Sequence, residues 1–141
     1  MATRSRIAIE NQDGTVTSIY CHFDGYLSGV GKLLKEYYTT QPKVQALIDL
    51  GDISSLDMTP FKMSTVAYAR DQSEDFKQTT YDDVPTLFEA GFNSGIEYIY
   101  CFIRDGRWLV SDGGPVIDLE EAIEEGCFEN NFRILKYKKS N

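Results

Sequence analysis

Tyr20, Cys21, His22, Phe23 and Asp24 place the only histidine of this chain among a phenol, a thiol and a carboxylate. An imidazole with a carboxylate two residues on is a minimal acid–base pair: the carboxylate orients the ring, and the ring reaches a substrate proton at about 3 Å. On that reading His22 and Asp24 are the catalytic candidates of a hydrolase or transferase acting on a nucleotide, with Tyr20 beside them. The plainer alternative is a histidine that fixes the Asp24-Gly25 turn. A lone histidine excludes most zinc hydrolase patterns, so no metal or cofactor is expected. If the strand alternates, Cys21 points away from His22 and the two cannot form a dyad.

The next residues read DGYLSGVG, a strand-to-helix junction. Free amides at a helix start, with glycines that allow close backbone approach, can hold an anion. Gly25, Tyr26, Ser28 and Gly29, with Lys32 as the nearest cation, are therefore candidate ligand contacts. The stretch lacks the lysine of a P-loop and the glycine spacing of a dinucleotide fold, so close helix packing explains it as well. Arg70, Arg104, Arg107 and Trp108, with Tyr68, Tyr98 and Tyr100, are expected on adjacent strands, where arginines between aromatics could stack on a base and hold a phosphate. Their alternative is an outer face paired with carboxylates.

Positioning these groups takes a hairpin first. Two runs rich in Ile, Val and Thr flank Asn11-Gln12-Asp13-Gly14, predicting strands near Arg6 to Glu10 and Thr15 to Phe23. A three-residue Gln-Asp-Gly loop sets Ile7 opposite Ile19, lines Ile9, Ile19, Cys21 and Phe23 along one face, and puts Tyr20 and His22 on the other with Arg6. Val30, Leu33, Leu34, Tyr37 and Tyr38 then recur at helical spacing, with Ser28 as a candidate cap. A second helix follows from Thr40 and Pro42 through Val44, Leu47 and Ile48 to Gly51. Residues 52 to 62 read as irregular, and STVAYAR as a strand ending at Arg70. Asp82 or Asp83 caps a short helix that Gly91 ends.

EYIYCFIRDGRWLVSDGG is the clearest hairpin, expected on a two-residue Asp105-Gly106 turn that pairs Ile103 with Trp108 and Cys101 with Val110. Asp118 and Glu121 form a capping box for DLEEAIEE, which Gly126 stops, and FRILKY is a last strand before a short basic tail over 136–141. The fold class is α+β: a single domain over 1–141, a mainly antiparallel sheet of five or six strands, with an αα-hairpin and shorter helices packed on one face.

Composition narrows the function classes. At 141 residues the chain suits one core, and 9 Tyr and 8 Phe against 1 Trp make it rich in aromatics. No run approaches the roughly 20 apolar residues of a membrane span, and no apolar segment follows Arg4 and Arg6, so a soluble, non-secreted chain without membrane contacts is expected. Three cysteines, Cys21, Cys101 and Cys127, lack Cys-x-x-Cys spacing and read as reduced, mostly buried thiols. Of the net charge of −8, residues 71 to 125 carry 14 carboxylates against Lys77, Arg104 and Arg107. Free nucleic acid is thus an unfavourable partner, while an array from Asp71 to Asp83 with Asp118, Glu120, Glu121, Glu124 and Glu125 could imitate duplex phosphates.

The stretches TRSRIAIENQDGTVTSIYCHFDGY, VGKLLKEYY and KVQALIDLGDISSL, with the later DGRWLVSDG, resemble a family of small, largely uncharacterised proteins of tailed phages and prophages. The likeness covers roughly residues 3 to 56 and the second hairpin, not 57 to 93. Phe23 stands where the family commonly has Trp, and Leu27-Ser28 where it has a Pro-Glu type pair. The resemblance implies an accessory protein acting in the cytoplasm of the bacterial host. The expectation is a non-enzymatic protein that counters a defence system or redirects a host factor, by binding a bacterial protein or sequestering a small nucleotide signal, with a homo-oligomer possible. A His22/Asp24 enzyme and an acidic nucleic-acid mimic are the alternatives.

Overall fold

The computed structural model describes residues 2–126. In chain order the elements are β1 (Ser5–Glu10), β2 (Val16–Cys21), one π-helical turn (Leu27–Gly31), α1 (Lys32–Tyr37), α2 (Gln41–Ile48), β3 (Ile53–Ser55), β4 (Val66–Ala67), α3 (Tyr68–Gln72), β5 (Thr79–Tyr81), α4 (Val84–Ala90), β6 (Tyr98–Phe102), β7 (Trp108–Ser111), β8 (Ile117–Asp118) and α5 (Leu119–Glu125). The predicted last strand, the basic tail and Cys127 lie outside the described residues.

The first hairpin has the expected register, with Ile7 opposite Ile19. Its loop closes where Asn11 N–H donates to Thr15 O, Gly14 takes a φ of +89°, and the Asp13 carboxylate accepts from the Thr15 amide and hydroxyl. A left-handed residue at that place suits glycine. The second hairpin repeats this device: Ile103 N–H donates to Arg107 O, Gly106 has φ +94°, and Asp105 accepts from Arg107 N–H. The loop is therefore three residues, not two, and the pairs are Phe102 with Trp108 and Cys101 with Leu109, in place of Ile103 with Trp108 and Cys101 with Val110.

The sheet is mostly antiparallel, in the order β4-β3-β2-β1-β6-β7-β8, while β5 pairs with the first half of β2. Two pairings are parallel, β1 with β6 and β2 with β3. Eight strands are present among the described residues rather than five or six. The additions are short: Ile53–Ser55 lies in the stretch expected to be irregular, and Thr79–Tyr81 and Ile117–Asp118 show no readable period. STVAYAR keeps only Val66–Ala67 extended; Asp71 accepts from Ala67 N–H and turns Tyr68–Gln72 into a helical turn.

Helices cover both faces, not one. Ile7, Ile9, Ile19 and Cys21 pack with Tyr100, Phe102 and Trp108 under Leu34, Val44, Leu47 and Leu119 of the helices α1, α2 and α5. Ala8, Val16, Ile99 and Cys101 form the opposite core with Leu87 of α4. A central strand paired in parallel and covered twice explains why the first five residues of β1 are all buried. Asp83 caps α4 through Thr86 N–H, and Asp118 caps α5 through Glu120 and Glu121 N–H, while Ser28 and Thr40 make no cap bond. Phe23, placed by alternation in the core, is exposed because the strand ends at Cys21.

Candidate functional site

His22 sits just past β2, its backbone N–H donating to Ile53 O. Two residues apart on one face, Tyr20 and His22 meet side to side, with the Tyr20 hydroxyl 2.6 Å from His22 Nδ1. The Phe23 ring packs edge-on against the imidazole. Asp24 does not join them. It is held at φ +59°, and its carboxylate accepts from the Tyr26 hydroxyl at 3.1 Å. The expected His22–Asp24 pair is thus replaced by two separate pairs, Tyr20–His22 and Tyr26–Asp24.

The glycine-rich junction is folded on itself. Gly25 N–H donates to Thr3 O, Gly29 N–H and Gly31 N–H to Tyr26 O, and Val30 N–H to Asp24 O. A Cβ at Gly25 would lie 2.7 Å from Thr3 O, and one at Gly29 would lie 2.3 Å from Asp24 O, so these glycines serve close backbone packing. These four amides are engaged, which removes the basis for an anion cradle here. Ser28 and Lys32 border a shallow depression with Leu27 and Ile123.

The arginine–aromatic face does not assemble. Arg70 lies on α3, forks onto the Asp71 carboxylate and donates to the Pro60 and Thr65 carbonyls. The Arg70 guanidinium and the Ala67 amide together pull the Asp71 carboxyl down to about 2. Arg104 pairs with Glu10 and donates to Gln12 O, tying the two hairpin tips together. Arg107 pairs with Asp105 and Asp118. Trp108 is a core residue whose indole N–H donates to Tyr38 O, and the buried Tyr100 hydroxyl donates to Gly25 O. Burial pushes both Cys21 and Cys101 up to about 12, so neither is an activated thiol. Asp71, Asp83 and Asp118, members of the proposed mimic array, are spent on local partners.

Two surface features come from the structure. A polar cleft of about 440 Å³ is lined by Tyr20, Asp52, Tyr68, Glu74, Asp75 and Lys77. Asp52 accepts from Tyr20 N–H at 2.9 Å, and burial raises its carboxyl above the ordinary range. Of the sequence-predicted ligand contacts, Tyr20 and Tyr68 line this cleft. Asp52 and Lys77 escaped the sequence because Asp52 N–H pairs with Lys77 O across 24 intervening positions, which local spacing does not connect.

The second feature is apolar. Tyr37, Tyr38, Pro42, Ala46, Met58 and Phe61 line a groove of about 440 Å³, rimmed by Glu36 and Lys43. Phe61 is 72% exposed and Met63 wholly so. Yet the loop that carries them is pinned: Asp57 N–H donates to Thr65 Oγ1, Thr65 Oγ1 donates to Thr59 O, and the Tyr38 hydroxyl donates to Asp57 O. Arg70 fixes the same loop at Pro60 and Thr65. Met63 is held at φ +69°, a conformation costly for a side chain of its kind.

Among the described residues no helix is long and apolar enough to cross a membrane. Compared with family models, with curated proteins and with solved structures, the chain matches none.

Proposed function

We propose that this chain is a phage-encoded accessory protein of the bacterial host cytoplasm that counters a defence system or redirects a host factor by binding a protein, without catalysis of its own. One observation carries the reading: the pinned 57–65 loop, which holds Met58, Phe61 and Met63 out in water beside an apolar groove. Exposed apolar groups gathered in one place mark interaction surfaces, and a loop fixed before binding loses little entropy when it binds. Sequestration of a nucleotide has less to rest on, because the arginines are paired with carboxylates and four junction amides with carbonyls. For the nucleotide-directed enzyme, His22 is partnered by the Tyr20 phenol while Asp24 pairs with Tyr26 instead.

Affinity capture from host lysate tests it, using wild type beside a Phe61→Asp, Met63→Asp variant. The wild type is expected to retain one stoichiometric protein at both low and high salt, and the variant to lose it while keeping its circular dichroism spectrum. An apolar anchor is typically worth 2 kcal/mol or more, roughly thirtyfold in affinity. Equal capture by the variant, or no partner at either salt, contradicts the proposal.

A further inference from the structure

We propose that the polar cleft beside Tyr20 is a binding site for an organic cation, an alkylammonium or guanidinium group of the kind carried by a lysine or arginine side chain or by a free polyamine. Two independent features of its lining point to that chemistry. Three acidic residues, Asp52, Glu74 and Asp75, line it against the single basic residue Lys77, a balance that disfavours anions. Its other lining groups are two phenol rings, Tyr20 and Tyr68, and aromatic rings attract a cation over their faces while covering an alkyl stem.

The site is also preformed. The Tyr20 hydroxyl is fixed by His22 at 2.6 Å, and the Tyr20 amide by Asp52. Glu74 N–H donates to Tyr68 O and Asp52 N–H to Lys77 O, which fixes the acidic segments that line the cleft beside β2. A volume of about 440 Å³ lies within the range of small-molecule sites, about 300 to 1,000 Å³. Among the described residues no three His, Cys, Asp or Glu side chains converge on a metal position. Lys77, an exposed residue of the chain itself, is the ligand's nearest mimic and its competitor. This inference does not depend on the apolar loop.

Amide-resolved NMR titration of the whole chain tests it, with spermidine, N-acetyl-arginine methylamide and N-acetyl-lysine methylamide as probes and N-acetyl-glutamine methylamide as the neutral control. Saturating shifts at Tyr20, Asp52 and Tyr68 are expected with a cationic probe only. Glu74→Gln with Asp75→Asn, both exposed positions, should weaken binding by about fivefold, the scale of a partly screened charge pair. Lys77→Gln should strengthen it, which a merely structural role for Lys77 does not produce. Saturation by spermidine alone assigns the cleft to a free polyamine, and saturation by the capped amino acids assigns it to a partner's side chain. Shifts equal to those of the neutral control, or none with wild type and Lys77→Gln alike, overturn the proposal.

Discussion

Tyr20 and His22 share one face at the end of β2, and the 2.6 Å bond between them decides what the histidine can do. Nδ1, one of the two ring nitrogens that could exchange a proton with a substrate, is engaged by the Tyr20 hydroxyl. Asp71 shows the opposite use of a titratable group. Its carboxyl, held at about 2 by Arg70 and the Ala67 amide, lies below its unfolded value. A carboxyl shifted down contributes stability above its unfolded pKa and loses it as pH falls through the folded one. Asp71→Asn should therefore flatten the acid limb of stability between about pH 4 and 2, read by denaturant melts at stepped pH; an unchanged slope contradicts the pairing. Asp52 has the reverse sign: burial raises its carboxyl, so its ionisation weighs against the fold and protonation relieves that cost. His22, Asp71 and Asp83 could all be singled out by type, and local spacing narrowed the cap of α4 to Asp82 or Asp83, of which Asp83 makes the bond. The partners of His22 and Asp52 depend on which side chains the register brings together, and spacing along the chain does not carry that.

At the scale of elements, the two hairpins use one turn. Asp13-Gly14 and Asp105-Gly106 each end a three-residue loop, with the aspartate accepting from the amide two residues on and the glycine at positive φ. A Cβ would meet nothing within 4 Å at Gly14 or Gly106, so backbone strain alone opposes substitution. Gly14→Ala and Gly106→Ala should each cost about 1 kcal/mol, additively in the double variant since the sites are separate turns; thermal melts check this, and a neutral result at either contradicts the shared geometry. The first register was legible because only an odd loop puts Ile7 and Ile19 together. The second was not, since Asp-Gly suits two-residue and three-residue loops alike. The one-residue difference matters: it sets Trp108 and Val110 beside Phe102 and Tyr100, on the face opposite Cys101. Strands of two or three residues carry no period to read, which is why β3, β5 and β8 were missed.

Across the whole molecule, a sheet buried on both faces leaves little freedom for a catalytic centre at its middle, and the groups free to act are at its margins. The α+β class was readable from the alternation of strand and helix patterns, whereas the second helical layer was not, because α4 is short and its single buried residue, Leu87, shows no stripe. The margin that stands out is the 57–65 loop with the groove against α1 and α2. Hydrogen–deuterium exchange on the captured complex, set against the free protein, tests its role most directly. Slowed exchange confined to residues 36–46 and 57–65 is the predicted result; protection elsewhere, with these segments exchanging as in the free protein, contradicts binding through this face.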